Sequence, residues 1–223
     1  MEKIKAVIFD MDGVIFDSER LYMQCCKEAA RIFGIRNIES TVISCIGLNT
    51  EKTHELYRNT YGADFPIDEY WKEVTGRFAE KAQGGLLPVK SGAENLLKYL
   101  CKKNIPIALA SSTKTEIIMR ELNAAGLTDY FDIIIGGNMV KKSKPDPDIF
   151  LLAADKLGYP TNECIIIEDS FNGVRAASAA GAYVIMVPDI AVPDAEMENL
   201  ADNIFDSLIN VKDFFVKEVF GEE

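Results

Sequence analysis

The sequence predicts an α/β fold: a parallel sheet with helices on both faces, and an all-helical segment inserted after the first strand. Short apolar runs rich in β-branched residues recur along the chain, and stretches with the apolar spacing of helices lie between them. These runs show little polar–apolar alternation, which is typical of strands buried on both faces of a parallel sheet. One interval, 17–85, contains helical stretches only.

Five segments are predicted as strands of the sheet. The first is IKAVIF at 4–9, and the others lie at 105–110, 131–135, 164–167 and 182–187. Because helical stretches rather than tight turns separate them after the insertion, neighbouring strands are expected to run parallel.

Helix start and stop signals accompany the helical stretches. Ser91 is followed by Glu94 and Thr113 by Glu116, and this spacing predicts a capping box at two helix N-termini. Glycines are predicted to end three helices, namely Gly126, Gly158 and Gly181.

The segment 17–85 is predicted to be a second, all-helical domain. Its helical stretches lie at 19–34, 50–62 and 68–84. Linker-type residues bound it at both ends, and Asp17 is expected to cap its first helix. The segments 1–16 and 86–223 are then expected to form the sheet domain.

Composition excludes several classes of protein. The chain has 223 residues, of which 48% are hydrophobic and 26% charged, as in ordinary globular proteins. Its net charge of -11 argues against a nucleic-acid partner. No apolar run is long enough to span a membrane, and the N-terminus lacks a signal-peptide pattern. A cytoplasmic location is therefore expected, and a monomer is the default expectation for the oligomeric state.

Histidine and cysteine usage narrows the chemistry. The single histidine, His54, lies in a helical stretch and is expected on the helix surface. A histidine-rich zinc site is thereby excluded. The five cysteines show no CxxC spacing and are expected to be reduced, structural thiols. Carboxylates must therefore supply most of the proton transfer and metal binding.

Polar side chains follow the carboxyl ends of four predicted strands. In an open α/β sheet, ligands bind in the crevice beyond these ends. The sequence thus predicts one pocket built from distant parts of the chain. Its candidate residues are, in chain order, Asp10 and Asp12; Ser111, Ser112 and Thr113; Lys144; and Glu168 with Asp169.

These residue types suit phosphoryl transfer. Four carboxylates in one pocket repel one another unless a cation lies between them, and oxygen ligands without histidine or thiolate favour Mg²⁺. Lys144 adds a positive charge and Ser111 a hydroxyl, both of which can contact a phosphoryl group. Aspartate can also carry a phosphoryl group covalently.

Four motifs of the chain resemble those of the haloacid dehalogenase-like hydrolases. They are DMDGV, LASST, SKPDPDIF and IIIEDS, and their order and separations agree over essentially the whole chain. The chain is most similar to the subgroup of β-phosphoglucomutase and pseudouridine-5′-phosphatase. The resemblance implies a Rossmann-like core and a helical cap domain, which corresponds to the insertion.

The resemblance also implies roles for the core residues. Asp10 would be the nucleophile that becomes an aspartyl-phosphate, and Asp12 the general acid and then the general base. Ser111 and Lys144 would bind the phosphoryl group, with Ser112 beside them, and Lys144 would also orient Asp10.

The cofactor implied by the resemblance is Mg²⁺. Its ligands would be the Asp10 carboxylate, the backbone carbonyl of Asp12 and the Asp169 carboxylate, with Glu168 in support. The expected substrate is a small phosphorylated metabolite, either a sugar phosphate or a nucleotide-like phosphomonoester.

Two alternatives to a phosphatase are open. β-Phosphoglucomutase uses a histidine and an arginine where this chain has Tyr22 and Thr50 by approximate alignment, which favours a phosphatase. Lys52 could replace the arginine, so a mutase stays possible. A non-enzymatic phospho-accepting switch is disfavoured, because the acidic clusters lie far apart and the helical insertion is foreign to it. Substrate choice is assigned to Arg20, Tyr22, Thr50 and Lys52.

Overall fold

The computed structural model describes residues 4–45, 50–82 and 87–222. These ranges contain a six-stranded sheet in the order β3-β2-β1-β4-β5-β6, in which all neighbouring strands are parallel. The predicted parallel α/β sheet is confirmed. β6 is not predicted by the sequence, because two residues carry no periodicity. The strands are β1 (Ala6–Phe9), β2 (Ile107–Ser111), β3 (Ile133–Gly136), β4 (Cys164–Glu168), β5 (Tyr183–Met186) and β6 (Asn203–Ile204).

Five α-helices of the described ranges lie between β1 and β2, and five follow β2. The first group is α1 (Ser18–Ile32), α2 (Ile38–Ser44), α3 (Thr50–Tyr61), α4 (Ile67–Lys81) and α5 (Ala93–Lys102). The second is α6 (Thr115–Ala125), α7 (Asp148–Leu157), α8 (Phe171–Ala179), α9 (Ala195–Leu200) and α10 (Leu208–Phe214). Within the same ranges, no helix has the length and apolar character needed to cross a membrane.

The central strand β1 divides the core into two layers. Side chains alternate along a strand, so Val7 and Phe9 face one side of the sheet and Ala6 and Ile8 the other. Val7 and Phe9 pack with apolar residues of α5, α6 and α10. Ala6 and Ile8 pack with those of α7 and α8. All four are fully buried, which explains why the strand is continuously apolar.

The helices α1 to α4 have an apolar cluster of their own. Tyr57 and Tyr70 lie at its centre, with ring centroids 5.7 Å apart. The Tyr70 hydroxyl donates a hydrogen bond to the carbonyl of Cys26 (3.1 Å). A separate cluster is what a separate helical domain requires. The proposed domain limits of 17 and 85 stay predictions, since residues 83–86 lie outside the described ranges.

The two connections between this helical segment and the sheet run side by side. Phe16 and Val89 form an antiparallel bridge, and the Asp17 N–H donates to the carbonyl of Pro88 (2.8 Å). Asp17 occupies the N-cap position of α1, as predicted, but its side chain makes no capping hydrogen bond. We call residues 14–17 and 88–90 the paired linkers.

Both predicted capping boxes are wrong, whereas the predicted helix stops are confirmed. Helix α5 begins at Ala93 with Gly92 in the N-cap position, so Ser91 lies outside the helix. Helix α6 has Lys114 at its N-cap, and the hydroxyl of Thr113 bonds elsewhere. The three glycines follow α6, α7 and α8 with positive φ: Gly126 (68°), Gly158 (83°) and Gly181 (74°).

The sequence predicts His54 on the helix surface, but in the structure its side chain is half-buried. Its ring packs edge-on against Trp71, with centroids 4.5 Å apart. Its Nε2 is buried without a hydrogen-bond partner among the described residues. The side chain therefore belongs to the packing of α3 on α4. The five cysteines are free, as predicted.

Ile118 and Ile117 allow a matched test of the core. Ile118 of α6 is fully buried, while its neighbour Ile117 is 39% exposed. Ile118→Ala is expected to lower the free energy of unfolding by about 3 kcal/mol, because it leaves a cavity. Ile117→Ala is expected to change it by less than about 1 kcal/mol. Urea unfolding followed by circular dichroism measures both; equal losses would contradict the packing described.

Candidate active site

A cavity of about 320 Å³ lies beyond the carboxyl ends of the central strands. Asp10 directly follows β1, Ser111 is the last residue of β2, and Glu168 is the last residue of β4. Because β1 lies between β2 and β4, these three positions are neighbours. The described lining residues are Asp10, Asp12, Glu19, Ser111, Ser112, Lys144, Asp169, Ser170, Ile190 and Ala191.

Lys144 ties two of the carboxylates together. Its Nζ donates to Asp10 Oδ1 (2.5 Å) and Glu168 Oε1 (2.6 Å), and it lies 4.6 Å from the ring centre of Phe150. Burial alone would lower the pKa of the ammonium, but the two carboxylates outweigh burial and raise this pKa above its ordinary value. Lys144 is therefore a fixed positive charge beside Asp10.

Glu168 is held by donors on both of its oxygens. Its Oε2 accepts from the Asp169 N–H (2.9 Å) and from the N–H and hydroxyl of Ser170 (both 3.0 Å). A Cβ at Gly173, in the first turn of α8, would lie 1.8 Å from Oε1, so this position requires glycine. Lys144 bonds to Oε1, so the Glu168 carboxylate is fixed in place and in turn fixes the backbone of Asp169 and Ser170.

Three buried carboxylates can hold a metal ion. Oxygens of Asp10, Glu168 and Asp169 all lie within 4.8 Å of one another. Burial raises the pKa of Asp10 to about 8; Lys144 opposes this rise, and the charges of Glu168 and Asp12 add to it. Burial, followed by the charges of Glu168 and Asp10, raises the pKa of Asp169. The charge of Lys144 offsets only one of the three negative charges that these carboxylates carry when ionised. A divalent cation with oxygen ligands therefore fits this cluster.

The carboxylate of Asp12 lies apart from that cluster and is held from the β2 side. The Thr113 hydroxyl donates to Asp12 Oδ2 (2.9 Å), and Ser111 Oγ lies 3.5 Å from the same oxygen. Ser111 Oγ also accepts the N–H of Thr113 (3.1 Å). Thr113 thus orients Asp12; the sequence predicts it both among the polar residues that follow β2 and at a helix cap, and only the cap is wrong.

The family of the chain follows from comparison with known proteins. A sequence model of the haloacid dehalogenase-like hydrolases matches residues 7–187, which include every residue of the acidic cluster. The chain belongs to the haloacid dehalogenase-like hydrolases. The predicted resemblance and the prediction of a phosphatase-type hydrolase are both confirmed.

Two curated relatives carry phosphatase names. The chain is 31% identical to a phosphorylated carbohydrates phosphatase of Thermotoga maritima, over 80% of this chain and 82% of the relative. It is 34% identical to a probable pseudouridine-5′-phosphatase of Drosophila melanogaster, over 85% of this chain and 84% of the relative.

Two solved structures share the fold over nearly the whole chain. A putative β-phosphoglucomutase from Thermotoga maritima is 28% identical, with a TM-score of 0.75 over 98% of this chain and 100% of the other. A HAD-family hydrolase from Deinococcus radiodurans, solved with bound phosphate and sodium, is 25% identical, with a TM-score of 0.83 over 97% of each chain.

Gly13 lies directly against the acidic cluster of this hydrolase. Its φ is +76°, a conformation that other residues rarely adopt, and a Cβ there would lie 2.0 Å from Asp169 Oδ2. Its N–H lies 3.2 Å from the hydroxyl of Ser18, and its carbonyl accepts from Lys90 Nζ (2.5 Å). The loop that carries Asp12 is thus packed tightly against Asp169.

Sequence reasoning missed three charged residues near this loop. Lys90 lies in the second linker, Asp189 in the loop after β5, and Glu19 in the first turn of α1, where it lines the cavity. Burial, followed by the charges of Asp12 and Asp189, raises the pKa of Glu19. None of the four family motifs contains these residues, so only their spatial proximity connects them to this loop.

Of the residues predicted to choose the substrate, the three with described side chains, Arg20, Tyr22 and Lys52, do not line the cavity. Arg20 is 69% exposed at its side chain, and its Nε lies 3.3 Å from Asp189 Oδ1. Tyr22 packs edge-on against Phe78 (6.1 Å between centroids). Lys52 lies on an exposed part of α3, and the side chain of Thr50 lies outside the described part of the chain. Their role stays a prediction.

Gly13→Ala tests the contact with Asp169. The added methyl group must displace Asp169 or the loop, so the rate of p-nitrophenyl phosphate hydrolysis is expected to fall about a hundredfold. Gly126→Ala is the control, because Gly126 also has positive φ (+68°) but has no atom within 4 Å of the added Cβ. The control is expected to lose about 1 kcal/mol of stability and to keep its activity. A Gly13→Ala enzyme with wild-type rates would contradict the described contact.

Thr113→Val tests the hydrogen bond to Asp12. Valine keeps the shape of threonine and removes the hydroxyl, so kcat is expected to fall about fivefold, as for the loss of one hydrogen bond. Thr115→Val is the control, since the Thr115 hydroxyl bonds to Asn138 instead (3.0 Å). Steady-state kinetics compares the two variants, and equal effects on kcat would rule out a specific role for Thr113.

Proposed function

We propose that the protein is a Mg²⁺-dependent phosphatase that hydrolyses small phosphomonoesters through an aspartyl-phosphate on Asp10. The observation that carries this proposal is the buried bridge of Lys144 between Asp10 and Glu168. It leaves Asp10 Oδ2 outside this bridge, and Asp10 and Asp12 line the same cavity. One carboxylate is thereby held for attack, while another is held at a distance for proton transfer.

The reaction has two steps. In the first, Asp10 attacks the phosphorus atom, the bond to the ester oxygen breaks, and Asp12 gives its proton to the departing alcohol. In the second, Asp12 takes a proton from water as the water oxygen attacks phosphorus, the bond to Asp10 breaks, and inorganic phosphate leaves. Lys144 and the hydroxyls of Ser111 and Ser112 hold the phosphoryl oxygens during both steps.

Asp10 and Asp169 would hold the metal, with the backbone carbonyl of Asp12 as a further ligand. Glu168 would support the site by fixing the backbone of Asp169, whose N–H it accepts at 2.9 Å. Bound Mg²⁺ supplies positive charge that offsets the carboxylates and the phosphoryl group.

The proposed substrates are sugar phosphates or nucleotide-like monoesters. The cavity volume of about 320 Å³ is at the small end for ligand sites, which favours a small leaving group. The names of the two curated relatives support the same classes. We also propose that the segment 17–85 is a cap over this cavity, since Glu19 of α1 lines it.

Asp10→Asn is expected to abolish phosphate release, because an amide is a poor nucleophile. Asp12→Asn is expected to slow turnover by at least about a hundredfold, because proton transfer contributes that much. Asp155→Asn, at an exposed position of α7, is the control and should match the wild type. The assay is phosphate release from p-nitrophenyl phosphate and a panel of phosphorylated sugars and nucleosides. Full activity of Asp10→Asn would refute the covalent mechanism.

Metal removal and a mutase assay complete the test. Treatment with EDTA should stop turnover, and excess Mg²⁺ should restore it. A solved structure named a putative β-phosphoglucomutase makes mutase activity the second candidate. Conversion of β-glucose 1-phosphate to glucose 6-phosphate, with a hexose bisphosphate present and without net phosphate release, would favour the mutase.

A further inference from the structure

Lys90 contacts the loop that carries Asp12 at two points. Its backbone N–H donates to the carbonyl of Ile15 (2.8 Å), and its Nζ donates to the carbonyl of Gly13 (2.5 Å). Its side chain is 15% exposed, so most of it is buried. Lys90 belongs to the second of the paired linkers, yet its side chain reaches the first. It therefore fixes both ends of the Gly13–Ile15 stretch.

Asp189 holds the ammonium group from the other side. Its Oδ1 lies 3.0 Å from Lys90 Nζ, and its side chain is only 1% exposed. Its Oδ2 is buried without a hydrogen-bond partner among the described residues. A buried carboxylate is costly unless its pairing is good. Asp189 is therefore poorly explained as a source of stability alone.

The contact matters because of what Gly13 touches. Gly13 follows Asp12 in the chain, and a Cβ on it would overlap Asp169. A rotation of the peptide group after Gly13 would move this loop relative to both carboxylates. Displacements near 1 Å at a reacting centre can lower a rate by about a hundredfold.

Arg20 shares Asp189 with Lys90. The Arg20 Nε lies 3.3 Å from the same Oδ1, but Arg20 is 69% exposed, compared with 15% for Lys90. An ion pair that is open to solvent contributes little. The buried pair of Asp189 with Lys90 is therefore the stronger of the two.

We propose that Lys90 and Asp189 are a positioning pair for the catalytic loop. Lys90 fixes the Gly13 carbonyl, and Asp189 acts only by holding Lys90. Neither residue touches the substrate. The proposal rests on the proposed function, because it concerns the placement of Asp12 and Asp169 in that reaction.

Three single variants and one double variant test the pair. Lys90→Met keeps the length of the side chain and removes its charge, Lys90→Arg keeps the charge, and Asp189→Asn keeps the shape of the carboxylate. Lys98→Met is the control, since Lys98 pairs with Glu94 on the exposed face of α5. Each variant is assayed for kcat, KM and the Mg²⁺ concentration giving half-maximal rate. The rise in Tm caused by Mg²⁺ without substrate is a second measurement, independent of turnover.

Lys90→Met is expected to lower kcat about tenfold, the effect of losing one charge-assisted hydrogen bond, with KM changed less than about twofold. It should also raise the half-saturating Mg²⁺ concentration and reduce the Tm rise caused by Mg²⁺. Lys90→Arg should retain most of kcat. The double variant Lys90→Met/Asp189→Asn should match Lys90→Met alone, because Asp189 acts through Lys90.

Three results would overturn the positioning pair. The first is wild-type kcat and Mg²⁺ response in Lys90→Met. The second is a loss of kcat that disappears well below the Tm of the variant, which would indicate a purely structural role. The third is additive effects in the double variant. A wild-type protein without Mg²⁺-dependent hydrolysis would instead refute the proposed function, so the two failures are distinguishable.

Discussion

The site depends on one buried ammonium group between two carboxylates. Lys144 bridges Asp10 and Glu168, which end or follow two adjacent parallel strands. Without that charge, the two buried carboxylates at the ends of β1 and β4 would repel each other. The pairing of β1 with β4 places the carboxylates of Asp10 and Glu168 close together, and the charge of Lys144 offsets their repulsion. The loops that carry Asp12 and Asp169 are arranged around this bridge.

The fold and the centre of the site could be predicted because their signals are local. The run at 6–9 is apolar on both faces of β1, and its burial explains that composition. Asp10 and Asp12 are two residues apart directly after β1, and both line one cavity. Lys144 and Asp169 lie far from them in sequence. A parallel sheet places the carboxyl ends of its strands at one edge, and this predicts that all four residues share one pocket.

The remaining features were not predictable, because they depend on contacts that leave no pattern. Thr113 follows β2 and has the spacing of a helix cap, but neither signal predicts the hydrogen bond of its hydroxyl to Asp12, and Lys114 takes the N-cap position instead. Lys90 and Asp189 meet only because residues 88–90, the second of the paired linkers, lie beside the loop that follows β1. The sequence of a capping box, a linker lysine or a loop aspartate is the same whether or not the residue contacts a partner in the folded protein.

The paired linkers have a mechanical consequence for the helical segment. Two chain crossings joined by hydrogen bonds form a narrow two-stranded ribbon, as between Phe16 and Val89. Such a ribbon resists stretching along its strands and separation of its strands, because either motion breaks backbone hydrogen bonds. Bending across its width breaks none of them. Of these motions, bending is the least costly for the backbone hydrogen bonds of the ribbon, and the ribbon begins directly after Gly13 in the chain.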